Sequence, residues 1–213
     1  MCRAHGLPGS FGARAWTNPR RTPLYYPDAV TLTADADAED LLDAVDRSAP
    51  GASVKDSYAR LDLAAAGFSM LFEAQWIHRP AGLPVGGEAA GFRPVTTPAA
   101  LAAWALAWSG GDDEDAAVFL PALLADPTTT IVAGHAADGR ILGGAVLTGT
   151  AGVTGVSNLF TVGDVPASYA WSGALAAAAP GLPVVGYESG DDLDAALAEG
   201  FEPIGALRVW LDA

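Results

Sequence analysis

Apolar and polar positions follow their most regular pattern between residues 131 and 164. Ile131–Ala136 is apolar and ends at an Ala-Asp-Gly sequence, a turn signal that commonly joins two paired strands. Ile141–Thr148 is apolar again and follows at once, so the two segments are predicted to form an antiparallel hairpin. The residues from Gly149 to Gly152 are a second turn signal, and Val153–Val162 is a third apolar segment. The pattern therefore predicts three antiparallel strands in succession.

Helical and extended patterns continue on both sides of these strands. Downstream, the sequence predicts in turn a helix, a strand, a helix and a strand, at Tyr169–Ala179, Pro183–Tyr187, Asp191–Glu199 and Ile204–Leu211. Upstream, a hydroxyl N-cap followed by proline, Thr97-Pro98, starts a helix. That helix lies between a strand at Gly91–Val95 and a second helix at Ala116–Leu124. From Gly91 onwards the predicted order is β-α-α-β-β-β-α-β-α-β.

The N-terminal part of the chain contains shorter predicted elements. Residues 1–20 hold Gly, Pro and Arg without periodicity and are predicted to be a flexible arm. Residues 21–80 are predicted to form an α/β subdomain, with elements at Asp37–Arg47 (helix), Ser53–Tyr58 (strand), Asp62–Ala66 (helix closed by Gly67) and Phe68–His78 (strand). Residues 81–90 are rich in Pro and Gly and predict a linker to a second domain, 91–213.

Composition narrows the classes of function. The 213 residues are 51% hydrophobic and 17% charged, which favours a large buried core. We expect a cytoplasmic protein without a membrane partner, because no apolar run reaches the length of a membrane span and the start lacks a secretory signal. The net charge of −14 argues against nucleic acid as a partner. It fits either general solubility or a preference for cationic ligands. With one cysteine and three distant histidines, no metal site is expected.

The element order from Gly91 resembles that of the GCN5-related N-acetyltransferase (GNAT) superfamily. The segments that carry the resemblance are residues 92–95 (FRPV), 138–144 (DGRILGG), 155–162 (GVSNLFTV) and 193–201 (LDAALAEGF). The resemblance covers residues 91–213 and implies an α/β (α+β) fold, with a mixed, mainly antiparallel central sheet flanked by helices. Residues 61–68 (LDLAAAGF) echo residues 193–201, so the N-terminal subdomain is either a truncated second copy of the fold or an ordinary helix–glycine–strand sequence.

The resemblance also implies acetyl-CoA as the cofactor. In the family, the fourth strand exposes backbone groups to the pantetheine arm, and the corresponding residues here are Asn158, Leu159, Phe160, Thr161 and Val162. A loop of pattern (Gln/Arg)-x-x-Gly-x-(Gly/Ala) then opens the next helix, whose N–H groups hold the pyrophosphate. That loop corresponds to residues 165–170, which makes Ser168, Tyr169 and Ala170 candidate phosphate-binding residues.

The loop departs from the family pattern at several positions. Ala170 agrees with it, but Val165 replaces the polar first residue and Ser168 replaces the first glycine. Pro166 removes one N–H donor, and Asp164 adds a negative charge near the expected phosphates. Each change is expected to weaken phosphate binding.

The family's usual general acid, a tyrosine five residues before the phenylalanine of Gly-Phe, is replaced here by Ala196. The catalytic candidates are instead Tyr187 and Glu188 at the end of the predicted fifth strand, with Glu188 able to deprotonate an amine through water. Tyr169 and Glu73 are alternatives. The competing interpretation is that these tyrosines pack and these carboxylates are surface groups of an acidic protein.

Two functions follow from these observations. The first is an acyl-CoA-dependent N-acyltransferase with a divergent cofactor loop, acting on a small-molecule amine or a protein amine. Its strands at 158–162 and 183–188 would splay apart and hold the thioester, and Asn158 would either line that cleft or pair with neighbouring backbone. The alternative is a catalytically inactive GNAT-like scaffold that binds a ligand or a protein partner.

Overall fold

The computed structural model describes residues 1–86, 91–150 and 152–212. Its strands are, in chain order, β1 (Ser10–Phe11), β2 (Ala15–Thr17), β3 (Ala29–Thr31), β4 (Ser53–Asp56), β5 (Phe68–Arg79), β6 (Phe92–Pro94), β7 (Thr129–His135), β8 (Ile141–Gly149), β9 (Thr154–Thr161), β10 (Val184–Glu188) and β11 (Glu202–Asp212). The α-helices are α1 (Ala38–Leu42), α2 (Pro98–Trp108), α3 (Asp113–Ala116), α4 (Ala167–Ala177) and α5 (Gly190–Ala198). Shorter 3-10 helices lie at Cys2–His5, Ala64–Ala66 and Pro121–Ala125.

The chain divides into two compact units. The first is Met1–Gln75 with Gly205–Ala213, and the second is Trp76–Ile204. Strands β5 and β11 each contain one of the two unit boundaries. The sequence predicts a different division, with a boundary at residues 81–90, of which 87–90 lie outside the described residues. That division stays a prediction, because compactness within one chain does not test whether either part folds alone.

The second unit contains the three antiparallel strands predicted from the alternation pattern. Its strands follow the order β5-β10-β9-β8-β7-β6. Strands β6, β7, β8 and β9 pair antiparallel with their neighbours, and β10 pairs parallel with β9. The helices and strands after residue 91 follow the predicted order, so the predicted mixed, mainly antiparallel sheet flanked by helices is confirmed. Ala151, within the predicted second turn, lies outside the described residues.

Helices lie on both faces of this sheet. On one face, Trp171 and Ala174 of α4 and Ala196 of α5 pack with sheet residues such as Val156 and Val184 in one buried cluster. On the other face, the fully buried indole of Trp104 from α2 donates a hydrogen bond of 2.9 Å to the Val132 carbonyl. The two faces can therefore be told apart by whether a side chain meets the α4 cluster or Trp104.

The start of the predicted linker is held against the second unit. The buried guanidinium of Arg79 donates to the carbonyl oxygens of Leu83, Pro84 and Glu199. The buried hydroxyl of Ser172 donates to the carbonyl of Gly86 at 2.9 Å. Residues 83–86 are thus anchored by side chains from β5 and α4.

The first unit has its own strand order, β1-β2-β3-β4-β11. Strands β3 and β4 are parallel, and the other neighbours in this order are antiparallel. Strands β1 and β2 lie within the segment predicted to be an arm, whose flexibility stays a prediction. Lys55, the only lysine in the sequence, lies on β4 opposite Val30 and Val209, and burial lowers its pKa to about 7.

Two predicted helices are shorter than the apolar pattern suggested. The predicted helix at Ala116–Leu124 is wrong: α3 ends at Ala116, and a 3-10 helix begins at Pro121. Proline lacks an N–H and disfavours helical backbone at the preceding residue, and Leu120 has an extended ψ of 146°. The predicted helix Asp37–Arg47 contains only the five residues of α1. Gly67 closes the 3-10 helix before it with φ 91°, as predicted.

Candidate active site

Strand β9 contains a β-bulge at Asn158. In its pairing with β8, Ser157 lies opposite Val146 and Phe160 lies opposite Gly144, so Asn158 and Leu159 together face Ala145. Asn158 has a positive φ of 50°, a conformation that asparagine tolerates better than most residues. Next to the bulge, the backbone of β8 at Gly143 comes close to the backbone of β9 at Phe160, which is possible because Gly143 has no side chain. A Cβ there would lie 2.6 Å from the Phe160 carbonyl oxygen.

The bulge decides which side chains of β9 face which helices. Val156, before the bulge, belongs to the buried cluster under α4, and Leu159 packs against the same cluster. Phe160 points to the opposite face, where its ring centroid lies 5.2 Å from that of Trp104. In a regular strand, Val156 and Phe160 would share one face, because residues four apart point the same way. The extra residue therefore moves Phe160 to the α2 side.

The parallel pairing between β9 and β10 covers only the start of β10. The paired residues are Thr154 with Val184 and Gly155 with Val185. The strands are still close one residue later, since a Cβ on Gly186 would lie 3.1 Å from the Val156 carbonyl oxygen. If the offset of these pairs is extended along both strands, Glu188 falls level with the bulge residue Asn158. Among the described residues, the pairing thus stops before the bulge and leaves the ends of both strands without this ladder.

Glu188 and Tyr187, the predicted catalytic pair, lie together at the end of β10 but on opposite faces. Neighbouring strand residues alternate between faces, and Val184, four residues before Glu188, belongs to the α4 cluster. Tyr187 points away from that cluster and meets the ring of Trp76 edge to face, with centroids 5.6 Å apart. The structure therefore brings these residues to one level of the sheet without placing them side by side.

Burial gives Glu188 the properties of a base that works near neutral pH. The half-buried carboxylate has its pKa raised to about 7, first by burial and then by the nearby charge of Asp192 on α5. Burial raises the pKa of Tyr187 as well, with a further contribution from Glu188. A carboxyl with a pKa near the working pH is well matched to general base catalysis. Glu73, the alternative base, is exposed and forms an ion pair with Arg208 at 2.9 Å in the first unit.

The candidate phosphate-binding residues lie in the first turn of α4. The helix begins at Ala167 after Pro166, and the side chain of this N-cap proline does not cap the first amides. Ser168 is exposed and Ala170 is fully buried. Tyr169 packs its ring against Phe92 of β6, with centroids 4.8 Å apart. Its buried hydroxyl has no hydrogen-bond partner among residues 1–86, 91–150 and 152–212, and burial raises the pKa of this hydroxyl. The surroundings of Tyr169 are those of a packing residue.

Sequence reasoning missed two members of this region, Trp76 and Asp192. The local pattern predicts a long strand at Trp76 and a helix at Asp192, but no local signal indicates that Trp76 meets Tyr187 or that Asp192 lies near Glu188. The bulge had one local signal, an asparagine in an otherwise apolar strand. Across residues 1–86, 91–150 and 152–212, no helix is long and apolar enough to cross a membrane, and no cluster of three His, Cys, Asp or Glu side chains could hold a metal ion.

Comparison with known proteins supports the fold. No family model matches this sequence, and no curated protein matches it. Similar solved structures include a GCN5-related N-acetyltransferase from Kribbella flavida, 15% identical, with 97% of this chain and 89% of that chain covered and a TM-score of 0.66.

Two further structures cover nearly the whole chain. A functionally unknown conserved protein from Staphylococcus epidermidis is 11% identical, with 100% of this chain and 97% of that chain covered and a TM-score of 0.63. A protein of the GNAT family from Novosphingobium aromaticivorans is 13% identical, with 95% of this chain and 89% of that chain covered and a TM-score of 0.60. Similarity at these identities establishes architecture and leaves the reaction open. The chain thus has the fold of the GCN5-related N-acetyltransferases.

Proposed function

We propose that this protein is an acyl-CoA-dependent N-acyltransferase that transfers an acetyl group to an amine. The observation that carries the proposal is the bulge at Asn158, which lies where the pairing of β9 with β10 has stopped. Because the printed pairs of β9 and β10 end at Gly155 and Val185, a ligand arm laid along β9 at the bulge would lie beyond that ladder. Glu188, with a pKa of about 7, ends β10, and the offset of the β9–β10 pairs, if extended, brings it level with the bulge.

The described residues offer donors suited to acetyl-CoA. Asn158–Val162 would bind the pantetheine arm through backbone groups, and the amides of Ala167 and Ser168 at the start of α4 would bind the pyrophosphate. The next amide, that of Tyr169, donates to the Pro166 carbonyl at 3.0 Å. The N-cap residue Pro166 has no side-chain acceptor for the amides of Ala167 and Ser168, and N–H groups at a helix start attract anions. The cofactor would supply an activated acyl thioester.

Two features of the same helix start favour the alternative, a catalytically inactive scaffold. Pro166 contributes no amide hydrogen at the N-cap, and exposed Asp164 brings negative charge close to the helix start. Arg79 and Arg140 do not offset that charge, since Arg79 binds backbone carbonyls and Arg140 pairs with Asp138 at 2.8 Å. Phosphate binding would therefore depend on backbone amides, and we expect modest affinity.

The chain's own residues would prepare the amine for attack. An amine acceptor arrives mainly as an ammonium ion, which is not nucleophilic until it loses a proton. Glu188 is proposed to take that proton through a water molecule, because its raised pKa lets it hold a proton near neutral pH. Asp192, which helps raise that pKa, is a positioning and tuning residue in this scheme.

The first test is calorimetric titration of the full chain with acetyl-CoA and with CoA. We expect saturable binding that Ser168→Asp weakens at least about tenfold, because the new carboxylate would stand beside the proposed pyrophosphate. Ser168 is exposed, so the substitution should leave the fold intact.

Ala176→Asp is the matched control, because it adds the same charge at an exposed position near the other end of α4. It should leave the affinity for acetyl-CoA unchanged. No heat of binding at millimolar acetyl-CoA would refute the acyltransferase and leave the scaffold. Equal losses in both variants would instead place the phosphates away from Ser168.

A second test addresses the base. Glu188→Gln is expected to lower kcat/KM for acyl transfer by about 100-fold, the usual contribution of a general base. In the unmodified protein kcat/KM should rise with pH through about 7, because the carboxylate must be deprotonated before it can accept a proton. In Glu188→Gln, kcat/KM should no longer increase with pH in this range.

Glu73→Gln serves as the comparison, since Glu73 is the other carboxylate suggested by the sequence and lies exposed beside Arg208. It should retain both the rate and its pH dependence. If Glu73→Gln loses activity while Glu188→Gln keeps it, the assignment of the base is wrong.

A further inference from the structure

The aromatic pair of Trp76 and Tyr187 has no role in the chemistry assigned so far. The two side chains come from β5 and β10, neighbouring strands of the second unit, and their rings meet at an angle of 80°. Tyr187 keeps 36% of its surface exposed even though it lies in a strand flanked by others. A partly exposed aromatic ring near the end of a strand offers an apolar surface to a ligand.

The pair borders the proposed site on the side away from α4. With the β9–β10 offset continued, Tyr187 is level with Ser157, an exposed residue immediately before the bulge. The proposed cofactor residues at the start of α4 belong to the opposite face. A molecule on the aromatic face would therefore reach the gap between the strands from the side that the cofactor leaves open.

The charge of this region suits a cation. Glu188 ends β10 directly after Tyr187 but on the opposite face, where Asp192 lies close to it. An ammonium group would therefore approach these carboxylates by entering the gap between the strands. A flat aromatic group of the same ligand can stack on the rings of Trp76 and Tyr187. A ligand with both a protonated amine and a flat apolar group would use each of these features.

We infer that Trp76 and Tyr187 form the acceptor subsite of the proposed transferase and select small primary amines that carry an aromatic group. This inference rests on the proposed function. It adds the class of acceptor and two specificity-determining residues, neither of which contributes to proton transfer.

The test measures amine binding and CoA binding separately. The full chain is titrated calorimetrically with 2-phenylethylamine, 2-cyclohexylethylamine and n-butylamine, in the absence of CoA and again with CoA present. We expect 2-phenylethylamine to bind at least about tenfold more tightly than 2-cyclohexylethylamine, which has similar bulk but no aromatic face. Acetyl-CoA is titrated in parallel.

Variants then locate the preference. Tyr187→Leu should remove the advantage of 2-phenylethylamine while leaving the affinities for n-butylamine and acetyl-CoA unchanged, and Tyr187→Phe should restore it. Trp76→Leu should have the same effect as Tyr187→Leu. Because Tyr187 is partly exposed, its variants remain informative even if Trp76→Leu fails to fold.

Different results would contradict the acceptor subsite and the proposed acyltransferase function. Equal affinities for the aromatic and cyclohexyl amines, or a preference that survives Tyr187→Leu, would overturn the acceptor subsite while acetyl-CoA binding still supported the transferase. If aromatic amines bind in a way that depends on Tyr187 but acetyl-CoA does not bind, both the transferase and the acceptor role of the Trp76–Tyr187 pair would be overturned. The amine would then be a ligand of a catalytically inactive scaffold.

Discussion

Replacement of Gly144 by alanine is expected to destabilise the protein by about 4 kcal/mol. The added Cβ would overlap Nε1 of Trp104 and lie 2.5 Å from the carbonyl oxygen of Val132. Those two atoms are donor and acceptor of the buried hydrogen bond that holds the indole over β8. The substitution would therefore combine overpacking with the loss of a buried hydrogen bond, each worth about 1–3 kcal/mol.

The indole has little freedom to move away from the new methyl group. Trp104 is fully buried, and its ring lies between those of Phe119 and Phe160, at centroid distances of 4.9 and 5.2 Å. Chemical denaturation followed by circular dichroism would measure the change in free energy of unfolding.

Gly205→Ala is the matched control, because Gly205 also lies in a strand and a Cβ there would meet nothing within 4 Å. It should change the free energy of unfolding by less than about 1 kcal/mol. A Gly144→Ala variant as stable as the control would show that the Trp104 contact does not limit the packing on that face.

Deletion of Asn158 is expected to abolish the proposed cofactor site while preserving the fold. The residues on either side already alternate as in a regular strand, with Leu159 toward the α4 cluster and Phe160 toward Trp104. Removing the extra residue would let β9 pair regularly with β8 without turning any of these side chains over. The β9–β10 ladder could then continue past Gly155 and close the gap.

We expect the affinity for acetyl-CoA to fall by at least about 100-fold in the deletion variant, with a change in unfolding free energy near 1 kcal/mol. Asn158→Gly is the control, because glycine adopts positive φ readily and would retain the bulge while removing the amide. That variant should bind acetyl-CoA like the unmodified protein if the backbone carries the interaction.

The outcomes separate three explanations. Loss of binding in the deletion alone supports a site made by the bulged backbone. Loss in both variants would assign binding to the Asn158 side chain, whose amide now donates to the Ser157 hydroxyl at 3.1 Å. A deletion variant that still binds acetyl-CoA would contradict the proposed position of the pantetheine arm.

The sequence by itself determined the order of elements from residue 91 and the mixed sheet that follows from it. Alternation of apolar residues, Thr97-Pro98 before α2 and Gly67 after a helical turn are local signals, and local signals depend on residues within one or two turns. The helix that the apolar pattern placed across residues 116–124 was wrong because one proline within it outweighed the pattern.

Only the tertiary structure decided the features that could make a site. The bulge at Asn158 is defined by register against β8, and the level of Glu188 is defined by register against β9. Burial beside Asp192 raises the pKa of Glu188, and Trp76 meets Tyr187 from a strand more than a hundred residues away in the sequence. Register and burial arise from contacts between distant segments, which no local pattern of residues encodes.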